Sequence, residues 1–223
     1  MIIPENLKDH NVIAFFTYRQ DGVDRKVISR LSGIPAGKIF FPLQRHTDRI
    51  INISGAMPDT VADSVITNEV GVLLGTKVAD CVPILLYDPA RRVVAATHAG
   101  WRGTAGGILG KTIKVLAERY NSLPDDIIIS MGPSIRWCCY RVGAEVFEAV
   151  RSATGEGEYH ILRDGGICLD LPSANRVQAL REGVPEENIW ISEDCTFCYP
   201  ERYNSYRYDG TGKRQGGFIG LKP

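Results

Sequence analysis

The sequence has no excess of either charge: 26 Lys+Arg stand against 26 Asp+Glu, a formal net charge of zero. No global field therefore draws the chain to nucleic acid or to anionic lipid, and any anion it binds must be held locally. Long apolar runs are missing too. Nothing approaches the ~18 consecutive apolar residues of a membrane span, and the opening MIIPENLKDHNVIAFF has no basic segment leading into an apolar one, so a cytoplasmic location is expected. Internal repeats, low-complexity tracts and Pro/Ser-rich linkers are likewise absent. Without an export signal the six cysteines are not expected to form a disulfide framework, and each thiol needs its own explanation. A length of 223 residues suits one substantial core and is short for two, so a single domain over residues 1–223 is expected.

What is present is an ordinary globular composition, with an apolar fraction of 44% and a charged fraction of 23%, which rules against a disordered chain. Short β-rich apolar runs dominate, over residues 12–18, 38–43, 61–67, 70–74, 82–87, 93–97, 127–131 and 188–192, and each reads as a strand. Between residues 104 and 120, Leu109, Ile113, Leu116, Ala117 and Tyr120 recur at spacings of three and four, on one helical face. Two more helices are expected at 143–151, with Val146, Phe147 and Val150 inward, and at 173–181, opened by Pro172 and closed by Gly183. Residues 154–158 and 164–166 read as exposed loops. Strands and helices mix without strict alternation. The expected class is α/β (α+β), a layered sandwich of mixed β-sheets flanked by helices.

Histidine is scarce, limited to His10, His46, His98 and His160. Two of the four stand beside strand ends in dense polar company: Gln44-Arg45-His46 follows one apolar run, and Thr97-His98-Ala99-Gly100-Trp101-Arg102-Gly103 follows another. Between them, Ala79-Asp80-Cys81-Val82-Pro83 opens a third run. Strand ends leading into Gly-rich loops commonly present functional groups. Neutral imidazole and thiolate both suit Zn²⁺, and three such ligands leave a fourth tetrahedral position open for water or substrate. The spacing matches no compact metal motif, so the residues by themselves leave buried core histidines and an inert thiol as the alternative.

The blocks ADCVPILLYDP (79–89), HAGWRG (98–103), GPSIRWCCYRVGAEV (132–146) and CTFCYPERYNSYR (195–207) together resemble the YfiH family, in order, from about Gln44 to the C-terminus. Members of that family have been described as purine nucleoside phosphorylases, as multicopper polyphenol oxidases and as a peptidoglycan editing factor. The resemblance implies a YfiH-like fold and a zinc ion held by His46, Cys81 and His98. Departures are modest. Val78 stands where many relatives have Thr, Thr47 where Gly or Ser is frequent, and Gly220 in place of a Trp; none removes a ligand.

Phosphorolysis needs a phosphate site beside the anomeric carbon, built from Arg forks and backbone N–H groups at a helix start. Arg102, with Gly103 and Thr104, precedes a helix expected from about Ala105 with Thr104 as N-cap, so an anion site and a structural ion pair are its two readings. Arg207 and Arg214 fall in matched family segments and are further substrate-binding candidates, with a solvated basic loop as the alternative for Arg214. Asp80 reads as an acceptor orienting an imidazole, as a proton acceptor in the pocket, or as a turn cap. Cys81, His98 and Asp80 are thus the candidate catalytic groups. Side chains of Cys138 and Cys139 would point apart in a regular strand, one lining the site while the other packs, and Cys195–Cys198 is a lone CxxC, which without a second pair is weak evidence for structural zinc and without a clear βαβ setting weak evidence for redox chemistry; packing is the expected role for all four. His10 and His160 lie outside every matched block and read as surface residues.

The expected function is zinc-dependent phosphorolysis of a purine nucleoside, with nucleoside and phosphate as the small-molecule partners. Hydrolytic deamination of adenosine is a compatible companion activity, although the usual HxE…PCxxC deaminase signature is absent. A true multicopper centre needs more imidazoles than four histidines provide, which leaves Cu²⁺ as a substitute at the His₂Cys site. A Cys81–His98 thiol hydrolase acting on a cell-wall precursor is the third reading, since the family's core resembles the Cys–His catalytic domain of cytotoxic necrotizing factor toxins. A non-catalytic binding protein is the fourth.

Overall fold

The structure, a computed structural model, describes residues 1–55 and 59–222. The first half is mostly strand: β1 (Val12–Phe16), helix α1 (Arg25–Ser32), β2 (Ile39–Phe40), β3 (Ile50–Asn52), β4 (Ser64–Thr67), β5 (Leu73–Val78), β6 (Val82–Asp88) and β7 (Val93–Ala99). The second half begins with α2 (Trp101–Ala105), α3 (Ile108–Tyr120), β8 (Ile128–Met131), β9 (Arg141–Val142) and α4 (Ala144–Thr154). It continues through β10 (His160–Arg163), β11 (Gly166–Leu169), α5 (Leu171–Arg181), β12 (Ile189–Ile191), α6 (Tyr206–Asp209) and β13 (Gln215–Leu221). No helix among the described residues is long and apolar enough to cross a membrane.

A six-stranded mixed sheet, ordered β12-β8-β6-β7-β4-β3, is the spine of the molecule. Every side chain of β6 and β7 is buried, because both faces of the sheet are covered. The period-2 pleat sends Ile84 and Leu86 into one core with Leu109, Ile113 and Leu116 of α3, and Leu85 and Tyr87 into another with Phe16, Leu74 and Ile219. That second core joins the spine to a four-stranded mixed sheet, β1-β13-β5-β2. The outer face of the smaller sheet is closed by α1 through Phe15, Ile28, Leu73 and Phe218. Each fully buried Leu, Ile or Phe contributes about 1.5–3 kcal/mol relative to leaving it exposed. A third, antiparallel sheet, β10-β11-β9, borders α4. The molecule is an α/β layered sandwich, as the patterning predicts.

Two local readings need correction. The helix expected over 104–120 is two helices, interrupted where Gly107 adopts a left-handed backbone at φ 69°. Thr104 therefore lies inside α2, fully buried with its Oγ1 accepting from Asn175 Nδ2, and caps no helix. Strand β13 has no apolar run to announce it, yet it pairs with both β1 and β5. Its glycines are steric requirements: a Cβ on Gly220 would meet the Val72 carbonyl at 2.4 Å.

Candidate functional site

Three neighbouring turns deliver the candidate ligands. His98 is the penultimate residue of β7, opposite Pro83 of β6, and Cys81 immediately precedes β6. His46 stands in the loop after the parallel bridge between Leu43 and Val61. His46 and Asp80 both hold left-handed backbones, at φ 58° and 85°, a conformation that costs free energy in non-glycine residues and clusters at functional turns. The donor atoms of His46, Cys81 and His98 all lie within 4.8 Å of one another. The two imidazole rings are 4.9 Å apart and cross at 72°.

The donor set fits Zn²⁺: two imidazoles and a thiolate, with a fourth position open. The packing around it fits as well. A Cβ added to Gly100 would lie 2.9 Å from Cys81 Sγ and 3.2 Å from His46 Cδ2, so this glycine keeps clear the space in which the ligands converge. Gly100→Ala is expected to weaken zinc binding about 10- to 100-fold, the range seen when a ligand's surroundings are disturbed. The metal-free protein is expected to stay folded with at most a modest fall in melting temperature, because φ −78° at this position suits alanine and the crowding falls on the ligand side chains. Competition against a chromophoric chelator reads the affinity; an unchanged value would count against convergence on a metal.

Asp63 is the functional residue that sequence reasoning misses. It is completely buried and accepts from His98 Nδ1 at 2.8 Å, which leaves Nε2 to face the cluster. The same carboxylate accepts from the backbone N–H groups of Arg45 (3.2 Å), His46 (3.1 Å) and Thr47 (2.7 Å), and from the Thr47 hydroxyl at 2.7 Å. One side chain thus fixes the tautomer of one candidate ligand and the loop that carries another. Burial works to raise the Asp63 pKa, but His98 and the Thr47 donors outweigh it and hold the carboxyl well below the usual carboxylate range.

Asp80 does different work. Its Oδ1 accepts from Thr196 Oγ1 at 2.6 Å, its Oδ2 from the Arg207 N–H at 2.7 Å, and its carbonyl from the Ile135 N–H at 2.9 Å. It ties three loops together beside Cys81, and the acceptor on the imidazole is Asp63.

A cavity of about 690 Å³ opens over the cluster, lined among others by His46, Asp80, Cys81, His98, Trp101, Tyr140, Tyr206, Arg207 and Arg214. Arg207 packs over the Tyr140 ring at 5.2 Å and donates to the Arg141 carbonyl at 3.0 Å. Arg214 donates to the carbonyls of Thr211 and Lys213, both at 2.8 Å. Arg102, on α2, lies over the Trp101 ring at 4.3 Å and is not among the residues lining the cavity.

The electrostatics of the cluster are strongly coupled. Burial opposes the Cys81 thiolate, but the charge of His98 and hydrogen bonds from His46 and His98 bring it down to about 6. Burial equally disfavours the His98 imidazolium, and Cys81 and Asp63 reverse that, raising it to about 9. Without metal the two form a thiolate–imidazolium pair near neutral pH. Burial and the charges of Cys81 and Asp80 push the Tyr140 phenol up to about 12, against Arg207 and Arg102, so it remains a hydrogen-bond donor at neutral pH.

The two remaining histidines are half-buried, not surface groups: His10 packs edge-on to Tyr87 and His160 against Phe147. Cys138, Cys139, Cys195 and Cys198 do not pack separately, and their sulfurs converge in a second cluster that could hold a metal ion.

The chain is similar over most of its length to known proteins. The family described as multi-copper polyphenol oxidoreductase laccase matches residues 14–222. The protein named purine nucleoside phosphorylase YlmD of Geobacillus stearothermophilus is 42% identical over 164 residues, 72% of this chain and 60% of that protein, so the match spans less than two thirds of that relative. A protein of an unknown prokaryotic organism named adenosine deaminase RL5 is 38% identical over 197 residues, 82% of this chain and 74% of that protein. The crystal structure of Bacillus licheniformis hypothetical protein YfiH superposes with a TM-score of 0.89 at 29% identity, covering 95% of this chain and 93% of the other. With its own fold matching that structure and nearly its whole length matching that description, the chain belongs to the YfiH, or polyphenol oxidoreductase laccase, family.

Proposed function

We propose that the chain is a zinc-dependent purine nucleoside phosphorylase whose active site is the cavity over His46, Cys81 and His98. The observation that carries the reading is the joint lining of one cavity by that ligand set, by the arginines Arg207 and Arg214, and by the aromatic rings of Trp101, Tyr140 and Tyr206. Guanidinium groups suit a phosphate dianion, and aromatic faces suit a purine. The name of the Geobacillus relative supports the same substrate class.

Zn²⁺ held by His46, Cys81 and His98 would supply a Lewis acid to a polar group of the bound substrate. The remaining work falls to the chain itself. Asp63 keeps His98 in the tautomer with Nε2 inward, and Asp80 anchors the backbone of Arg207 so that its guanidinium stands at the cavity. Phosphate oxygen forms the new bond to C1′ as the bond from C1′ to the base nitrogen breaks, and the base leaves with that electron pair. Arg207 and Arg214 position the phosphate and balance charge as the oxocarbenium-like transition state develops. The neutral Tyr140 hydroxyl is the donor available to the departing base or to the phosphate. Arg102, the residue after Trp101 and stacked over its ring, adds positive charge from outside the lining.

Adenosine deamination is the second reading, supported by the relative named adenosine deaminase RL5. Chromatography of products from zinc-loaded protein with inosine or adenosine, with and without phosphate, separates the two. Free base and ribose 1-phosphate formed only when phosphate is present is the expected result. Adenosine converted to inosine regardless of phosphate would replace phosphorolysis by deamination, and no turnover of either nucleoside would overturn both. Cu²⁺ binds the same ligands and competes with Zn²⁺, but four histidines, two of them packed on Tyr87 and Phe147, do not supply a trinuclear copper cluster.

A further inference from the structure

Four of the six cysteines gather at one place. Cys138 and Cys139 lie on the loop between β8 and β9, and Cys195 and Cys198 on the loop after β12. Their sulfurs all lie within 4.8 Å of one another, with Cys139 and Cys198 3.3 Å apart and Cys138 and Cys198 3.6 Å apart. Four thiolates arranged tetrahedrally at a Zn–S distance of about 2.3 Å have sulfurs separated by about 3.8 Å, so the cluster needs only small adjustments to close on one ion. Cys81 and Cys168 stand apart from it.

One of the four sulfurs is already engaged by the backbone. The Arg136 N–H donates to Cys195 Sγ at 3.4 Å, and the Cys198 N–H donates to the Cys195 carbonyl at 3.2 Å, closing the turn between the second pair. A backbone N–H donor at sulfur suits the thiolate form that ligates a metal ion. The two loops are also held in register without any metal. Ser134 and Cys195 form a parallel bridge, and Arg136 spans from Asp170 (2.6 and 3.0 Å) to the Ser192 carbonyl (2.6 Å). The position in the fold gives the cluster a purpose. Ile135 and Tyr140, which flank the first cysteine pair, line the cavity, and Thr196, between the second pair, donates to Asp80.

We propose that Cys138, Cys139, Cys195 and Cys198 bind one Zn²⁺ in a closed tetrathiolate site, distinct from the His46–Cys81–His98 centre, and that this ion staples together the two loops forming one wall of the cavity. Four protein ligands leave no open coordination position, so the ion is structural. The four thiols release their protons to solvent as the ion binds.

The test uses the whole 223-residue chain, purified under reducing conditions and loaded with Zn²⁺. In the Cys81→Ala variant, which lacks the other centre, metal analysis is expected to find one zinc per chain, and X-ray absorption to find an all-sulfur shell. Adding Cys138→Ser and Cys198→Ser is expected to remove that zinc. Because the added substitutions could impair folding, the unsubstituted protein supplies a second readout. Zn²⁺ is expected to suppress alkylation of all four cysteines, and a chelator to restore it, as mapped by peptide mass spectrometry. A Cys81→Ala protein without zinc, a shell containing nitrogen or oxygen, alkylation indifferent to Zn²⁺, or disulfides persisting in reductant would each overturn the proposal. None of these results bears on phosphorolysis, which is assayed separately.

Discussion

Asp63→Ala is expected to cost the fold about 3–5 kcal/mol, the range for removing one member of a buried ionic pair, and to abolish zinc binding by the histidine–cysteine centre. The carboxylate is completely buried, and His98 Nδ1, three backbone N–H groups and the Thr47 hydroxyl all converge on it. Alanine leaves each of those donors facing a void, and an unsatisfied buried donor costs more than an average hydrogen bond contributes. Asp63→Asn keeps the volume but turns an amide toward the donors, so His98 loses the acceptor that fixes its tautomer. Zinc affinity in that variant is expected to fall about 10- to 100-fold. A pH dependence follows from the depressed carboxyl. Its contribution is complete above the unfolded value near 3.9 and is lost as pH falls through the lower folded-state value. Denaturant titrations at a series of acidic pH values are therefore expected to show wild-type stability falling below about pH 4 more steeply than that of Asp63→Asn. Parallel curves would remove Asp63 from its place at the centre of the network.

Cys81 carries the second large effect. Cys81→Ala is expected to take phosphorolysis below detection, since it removes the one thiolate among the candidate ligands. In zinc-stripped wild type, alkylation of Cys81 is expected to be half-maximal near pH 6, because the thiol titrates at about 6 instead of its ordinary 9.0. Thiolate is the reacting form, so reactivity rises as pH climbs through the lowered value and stays high above it. Zinc is expected to block the reaction, and a chelator to restore it. A Cys81 that alkylates at full rate with zinc present, in a protein that retains turnover of a cell-wall substrate until it is alkylated, would transfer the site to the thiol hydrolase reading, in which His98 serves as base.

Legibility in the sequence follows burial. β6 and β7 are plain because both faces are covered, which turns them into continuous apolar runs ending in the polar residues that matter. The helix expected over 143–151 appears as α4, which ends three residues further on, because Thr154 is buried and accepts from Gln178 Nε2 in place of joining an exposed loop. β13 is hidden because its glycines, chosen for close approach to neighbouring backbone, leave too few apolar side chains to make a pattern. The individual ligands are recognisable at strand ends, but their convergence depends on the β6–β7 register and on a loop held by Asp63, and neither has a local signature. Asp63 itself does leave a trace. A lone carboxylate inside the apolar run 61–67 implies buried donors, and at a strand beside a candidate site those donors are the first to look for. The cysteine cluster shows only its separate halves, the Cys138-Cys139 pair and the CxxC of Cys195–Cys198, because Cys139 and Cys198 are 59 residues apart in sequence and meet only once the loops after β8 and β12 are folded.

The central claim is phosphate-dependent cleavage at the His46–Cys81–His98 cavity, and phosphorus NMR of zinc-loaded protein with inosine and inorganic phosphate tests it most directly. The account predicts a sugar phosphate ester resonance that grows mole for mole with free hypoxanthine, and no such resonance with Cys81→Ala. Hypoxanthine released without consumption of phosphate, or an ester formed equally well by Cys81→Ala, would contradict it.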